Sequence, residues 1–214
     1  MLVGEPGRFI TFEGPEGSGK TTQIVALVEF LGGLGIPVVT TREPGGTPIG
    51  DEIRSVLMGL NNTDMQPRAE ILLFQASRAQ LVEQVIRPCL TEGKIVLSDR
   101  YADSTLAYQG YGYQLFTIDA LKPIITFATG GLIPDLTLLL DVDIHLGLER
   151  RMNEGGWNRM DAYDCSFHER VREGFTRMAK EDPSRWVIID AIRPFDQVQL
   201  EIRRAVLNCI KGLD

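Results

Sequence analysis

The stretch GPEGSGKTT, Gly14–Thr22, decides how this chain is read. Its Gly14-x-x-x-x-Gly19-Lys20-Thr21 spacing is that of a loop whose backbone N–H groups wrap phosphate oxygens. Glycines let the backbone approach an anion closely, and a helix beginning at the loop adds the positive end of its dipole. Lys20 can reach the outer phosphates of a nucleoside triphosphate, and the Thr21 hydroxyl can ligate Mg2+. Pro15, Gly17, Ser18 and Thr22 complete the loop. The context also fits: an apolar run, RFITFE, precedes it, and Ile24, Leu27, Val28 and Leu31 recur at helical spacing after it. Glu16 is the anomaly, a carboxylate in the middle of an anion-binding loop.

Outward from the loop, five short apolar runs read as strands: 9–12, 38–41, 95–97, 136–140 and 186–189. Most lack alternation, as strands buried on both faces do. Helical patterns are expected between them, at 24–31, 49–58, 67–90 with Pro88 kinking or ending it, 117–129, 144–153, 164–181 and 195–211. Strands alternating with helices give an α/β fold with a five-stranded parallel sheet flanked by helices. No linker divides residues 1–214, so one domain is expected. The polar, glycine-containing segment Asn153–Asp161 breaks the pattern and reads as a surface loop or as a lid over a ligand.

The 214 residues carry a net charge of -7 with a pI near 5.0, which argues against a general nucleic-acid partner. Three scattered cysteines, Cys89, Cys165 and Cys209, suggest reduced thiols in a cytoplasmic protein. The opening MLVGEPGRFITFEG lacks the pattern of a signal peptide, and LTLLL at 136–140 is too short to cross a membrane.

A triphosphate site of this kind needs an acid at a strand end to orient Mg2+ or its waters. Asp99 and Asp141 compete; Asp99 is favoured because Arg100 follows it at once, whereas Asp141 could cap the next helix. No Asn-Lys-x-Asp segment marks a guanine reader, and no basic stripe marks a helicase. A second ligand site is therefore sought. Arg42-Glu43-Pro44-Gly45-Gly46-Thr47, Arg54, Phe74 with Arg78 one helical turn on, and Ser104-Thr105-Leu106-Ala107-Tyr108-Gln109-Gly110 all lie beyond strand ends or on adjoining helices. Open α/β sheets bind ligands there.

These segments resemble thymidylate kinases, P-loop nucleoside-monophosphate kinases that phosphorylate dTMP with ATP. FEGPEGSGKTT, TREPGGTPIGDEIR, LLFQASRAQLVEQVI, LSDRYADSTLAYQG, PDLTLLLDV and a lid over about 150–161 with NRMD correspond to family segments in order. The resemblance implies a three-layer P-loop NTPase fold, Mg2+, dTDP and ADP as products, a step in dTTP synthesis, and a homodimer packed through helices. Phe74 would stack on the base, Arg78 bond a base carbonyl, and Thr105 and Gln109 read the other polar edge. Tyr108 would lie below the sugar, with Ser104 beside it. Arg54 and Arg100 would hold the dTMP phosphate, with Glu43 organising them after a cis bond to Pro44. Glu16 would accept a hydrogen bond from the 3′-hydroxyl of dTMP, which accounts for its charge. Gly17 stands where some members carry a catalytic arginine, so this chain would supply one from the lid. Arg150, Arg151 and Arg159 are the candidates, Arg159 matching best, with Met152 and Glu154 where some relatives are more basic. Arg193, after the last strand, would border adenine. A CMP or UMP kinase and an ATP-driven binding switch are the alternatives.

Overall fold

A computed structural model describes residues 7–155 and 157–212; the lid's Gly156 and residues 1–6 of the opening segment lie outside it, as does the Glu154 side chain. Strands β1 (Phe9–Glu13), β2 (Val38–Arg42), β3 (Ile95–Asp99), β4 (Leu136–Asp141) and β5 (Trp186–Asp190) form one sheet in the order β2-β3-β1-β4-β5. Every pairing is parallel, with Phe9 beside Val96 and Ile10 beside both Leu97 and Leu136. The helices are α1 (Lys20–Gly33), α2 (Pro48–Met58), α3 (Pro67–Leu81), α4 (Arg87–Thr91), α5 (Ala102–Thr105), α6 (Ile118–Thr129), α7 (Ile144–Glu154), α8 (Cys165–Glu181) and α9 (Phe195–Lys211). Among the described residues, no helix is long and apolar enough to cross a membrane.

The missing alternation in the strands has the expected cause. Ile10, Phe12, Leu138 and Leu140 point to one face, where Ile24, Leu27 and Leu31 of α1 meet Val198, Ile202 and Val206 of α9. Their neighbours Phe9 and Leu139 point to the other face, Phe9 against Leu81, Val82 and Ile86, and Leu139 against Phe175 and Trp186. Successive residues are thus apolar because both faces are covered. Each such side chain contributes about 1.5–3 kcal/mol on burial. Helix starts are fixed locally: Thr47 accepts from Gly50 N at 3.0 Å before Pro48, Asp143 from His145 N at 3.0 Å, and Asp164 from Phe167 N at 2.7 Å.

Two segments depart from the sequence reading. The helix expected over 67–90 runs as α3, a π-helical stretch Val82–Ile86, and α4. Pro88 has no N–H for its carbonyl four residues back, and the wider turn just before it absorbs that mismatch. The segment 102–112, read only as a site segment, is α5 followed by a second π-helical stretch, Leu106–Gly112. Its glycines hide it from propensity, yet packing demands them. A Cβ on Gly112 would lie 2.7 Å from Phe167 Cε2 and 2.9 Å from Val171 Cγ2 on α8. Gly112→Ala is therefore expected to cost about 1–3 kcal/mol through overpacking. In urea unfolding the midpoint should drop with an unchanged slope; an unmoved midpoint would show that the contact yields freely.

Candidate active site

Every strand ends in a charged residue: Glu13, Arg42, Asp99, Asp141 and Asp190. The register pairs Arg42 with Asp99 and Asp141 with Asp190, so these charges gather on the carboxyl edge of the sheet. A cavity of about 630 Å³ opens there. The central strand, β1, delivers the glycine loop into it, and the chain departs from β1 to both sides, as ligand-binding α/β sheets require.

At one end Lys20 through Thr22 line the cavity as the first turn of α1. The Lys20 ammonium donates to the carbonyls of Gly14 and Pro15 at 3.1 and 2.8 Å and to Ser18 Oγ at 3.1 Å. Burial, and then Arg100, brings its pKa down to about 8. Thr21 Oγ1 donates to Asp99 Oδ2 at 2.8 Å, so two hard oxygen groups suited to Mg2+ adjoin. The rival Asp141 is held by Arg172 at 2.6 and 2.8 Å, and Asp143 is the cap of α7. Gly17 has φ 63° and faces Gly147 of α7; a Cβ on either glycine would run into the other segment's backbone. No side chain can replace Gly17 without moving α7.

Glu16 lines the middle of the cavity. Its carboxylate accepts from Tyr108 OH at 2.6 and 2.7 Å and from Arg100 Nη2 at 3.1 Å, and His168 Nδ1 stands 3.5 Å away. Burial alone would raise its pKa, yet Arg100, then His168, Lys20 and Tyr108, hold it well below the usual carboxylate range. Arg100 has φ 71°, a left-handed conformation rare outside glycine, and it also donates to Gly14 O at 3.0 Å and to Ser104 Oγ at 3.3 Å. Arg54 lies nearby, donating to Pro44 O at 2.9 Å. Burial and then Arg42 push its pKa down, while Asp99 and Asp51 pull the other way. With Arg42 and Arg100 also on this cavity, an anion fits that place.

At the far end the wall includes Phe74, Arg78, Thr105 and Gln109. Arg78 is 1% exposed and its guanidinium is fully engaged. It donates through Nε to Glu43 at 2.8 Å, through Nη1 to Gln75 at 2.7 Å and Thr105 at 3.0 Å, and through Nη2 to Tyr101 O at 2.9 Å. A base carbonyl would have to share one of these N–H groups. Glu43 keeps Oε1 without a hydrogen-bond partner among the described residues, and the Glu43–Pro44 peptide is cis, as the resemblance implies.

The lid arginines separate. Arg151 lies on the cavity wall, paired with Asp161 at 3.0 Å. Arg159 is off that wall: it donates to Leu57 O at 2.9 Å and to Glu70 of α3. Arg150 donates to Ala191 O at 3.3 Å, beside the 190–194 loop. In that loop Arg193 is forked onto Glu201 at 2.8 and 2.7 Å. The wall also takes in Met58, and with it Arg42, Asn158 and Met160, which sequence reasoning placed in candidate segments but gave no individual role. Arg42 ends a strand beside Asp99 and could have been found from that spacing; Met58 and Met160 carry no local signal.

Glu13, fully buried, accepts from Tyr101 N at 2.8 Å and Ser104 Oγ at 2.6 Å. Burial pushes its pKa from 4.5 up to about 7, against the pull of Arg100. Between those values the folded state binds the extra proton, so this contribution to stability is complete below pH 4.5 and is lost as pH rises through about 7. Relative to Glu13→Gln, the wild-type unfolding free energy should fall by on the order of 2–3 kcal/mol between pH 5 and 8. Parallel profiles would show that Glu13 ionises normally.

The thymidylate kinase family model matches residues 12–202. Thymidylate kinase of Roseiflexus sp. (strain RS-1) is 48% identical over 206 residues, 91% of each chain. That of Deinococcus radiodurans is 50% identical over 200 residues, 94% of this chain and 96% of the relative. A crystal structure of thymidylate kinase from Ehrlichia chaffeensis superposes with a TM-score of 0.77 at 35% identity, over 95% of this chain and 99% of that one. With the glycine loop, the Asp99–Arg100 strand end and the far pocket on one cavity, the chain belongs to the thymidylate kinase family.

Proposed function

We propose that this protein transfers the γ-phosphoryl group of ATP to dTMP, giving dTDP and ADP in a step of dTTP synthesis. The observation that carries the reading is one continuous cavity with Lys20 and Thr21 at one end, Phe74, Thr105 and Gln109 at the other, and Glu16 with Arg100 between them. The glycine loop, Gly14 to Thr22, holds the triphosphate. Arg54, Arg100 and Ser104 hold the acceptor phosphate, Phe74 stacks on the base, and Tyr108 fills the place a ribose 2′-hydroxyl would need. Glu16 accepts from the 3′-hydroxyl, using lone pairs left beyond Tyr108 and Arg100. Glu43 fixes Arg78, and Pro44 seats Arg54. Arg193 borders adenine.

The acceptor is a phosphate oxygen already ionised at neutral pH, so no general base is needed. That oxygen bonds to the γ-phosphorus as the bond to the bridging oxygen breaks, and ADP leaves with the electron pair. Lys20 and Arg100 stabilise charge on the transferring group, and the walls exclude water. Thr21 and Asp99 would hold Mg2+, directly or through water, and the bound ion would supply charge neutralisation for the phosphates. Of the lid arginines, the geometry favours Arg151 for the transferring phosphoryl group. Arg151 is the one on the cavity wall; all three would first have to leave a partner, Arg151 Asp161 and the carbonyl of Gly155, Arg159 Glu70 and Leu57, and Arg150 the carbonyl of Ala191.

A coupled ADP-release assay with Mg-ATP and a panel of monophosphates tests the reading. Turnover should be high on dTMP, lower on dUMP and negligible on CMP. Lys20→Ala should lower it by roughly a hundredfold or more without unfolding, and Glu16→Ala should raise KM for dTMP but not for ATP. A preference for CMP, or no ADP release with any monophosphate, would favour the other kinase or the switch.

We also propose a single cytoplasmic domain over 1–214 that works as a homodimer. No disulfide joins the described cysteines. Helices α3 and α6 pack together and expose Leu72, Ile124 and Phe127, the last 89% exposed. Sedimentation equilibrium should give twice the chain mass, and Phe127→Glu should shift it to the monomer; a monomeric wild type would overturn the assignment.

A further inference from the structure

Glu70, at the start of α3, has no place in the chemistry above, yet it is 1% exposed and heavily bonded. It accepts from Gln109 Nε2 at 2.8 Å, from Tyr113 OH at 2.8 and 2.9 Å, and from Arg159 Nη2. We infer that Glu70 sets the base selectivity of the site by fixing which end of the Gln109 amide meets the ligand. The inference rests on the proposed role of Gln109 and Thr105 at the base edge.

The argument is one of donors and acceptors. A carboxylate paired with an arginine only accepts, so the end of Gln109 turned to Glu70 must be its NH2. The carbonyl oxygen Oε1 is then the end left for the cavity that Gln109 lines. Thr105 is fixed in the opposite sense. Its Oγ1 accepts from Gln75 Nε2 at 3.1 Å and from Arg78 Nη1 at 3.0 Å. Both lone pairs are used, so its one proton is left to donate. Gln75 is held in turn, because its Oε1 accepts from Arg78, which Glu43 anchors. The wall thus offers an acceptor beside a donor. Thymine and uracil present the complement, a ring N3–H beside a carbonyl. Cytosine presents the reverse, a bare N3 beside an amino group, and would leave buried polar groups unpaired.

Glu70 is a positioning residue in this scheme. In Glu70→Gln the new side chain can offer an NH2 to Gln109. The Gln109 carbonyl can then turn toward it and leave its own NH2 to the cavity, the sense that suits cytosine. A purely structural role would lower activity on every substrate alike, so the readout is a ratio. The preference of kcat/KM for dTMP over dCMP should narrow by on the order of ten- to a hundredfold in Glu70→Gln. Arg159→Met, which removes the other strong partner of Glu70, should lower turnover on both substrates and leave the ratio within about threefold. A Glu70→Gln enzyme that keeps the wild-type ratio overturns the inference, and so does an Arg159→Met enzyme that narrows it equally. Should Glu70→Gln fail to fold, the wild type still decides through competition by 3-methyl-dTMP, which lacks the N3–H. Binding more than tenfold weaker than dTMP supports the amide sense; equal binding overturns it. A wild type inactive on dTMP would instead defeat the proposed function, an outcome read before any variant is made.

Discussion

The Arg100 guanidinium stands 3.1 Å from Glu16, 4.0 Å from Glu13 and 5.0 Å above the Tyr108 ring, and the walls of the cavity depend on that charge. Without it Glu13, fully buried, and Glu16, largely buried, would lose their arginine partner. Removing one partner of a buried pair commonly costs about 3–5 kcal/mol, because the other charge stays buried. The left-handed backbone at Arg100 is held by bonds on both sides, its own N–H to Phe12 O at 2.9 Å and its carbonyl accepting from Ser98 Oγ at 2.7 Å. Sheet edge, glycine loop and π-helical segment therefore meet on one side chain. An anionic ligand can join that cluster because Arg54 and Arg42 add positive charge beside it.

The contact between Gly17 and Gly147 sets a second constraint. It brings α7 against the glycine loop so closely that neither position has room for a side chain. An arginine in the loop would displace the helix that leads into the lid. The proposed reaction then has to draw any further cation at that place from elsewhere in the cavity, as the proposal for Arg151 does. Arg151 ties the 150–161 segment to itself through Asp161, whereas Arg159 anchors it to Glu70 of α3, which also holds Gln109. Arg159 and Gln109 thus share one buried carboxylate.

The sheet, the glycine loop and the acid after β3 could be read from the sequence because each is local: an unalternating apolar run, a fixed glycine spacing, a charge at a strand end. The π-helical segments could not. One depends on how the chain accommodates Pro88, and the other on glycines that earn their place only against Phe167 and Ile118, residues more than five positions away. Glu70 carried no signal either. A glutamate in the first turn of a helix looks like an ordinary dipole partner, and only the fold reveals that Gln109, Tyr113 and Arg159 converge on it.

Arg78 and Thr105 show how internal bonds narrow what residue type offers at a cavity wall. An arginine one turn from an aromatic ring reads as a ligand donor, and Thr105 as a reader of the base edge with its donor or acceptor sense open. In the folded chain Arg78 spends its donors on Glu43, Gln75, Thr105 and the Tyr101 carbonyl. Thr105 has both lone pairs taken and a proton to offer. What a wall presents is the remainder after internal bonds are satisfied, and in a buried network that remainder is determinate, since each unpaired group is costly. On the proposed reading, specificity in this cavity rests on the buried Glu43 and Glu70, which decide how Arg78 and Gln109 are turned, as well as on the residues at the wall.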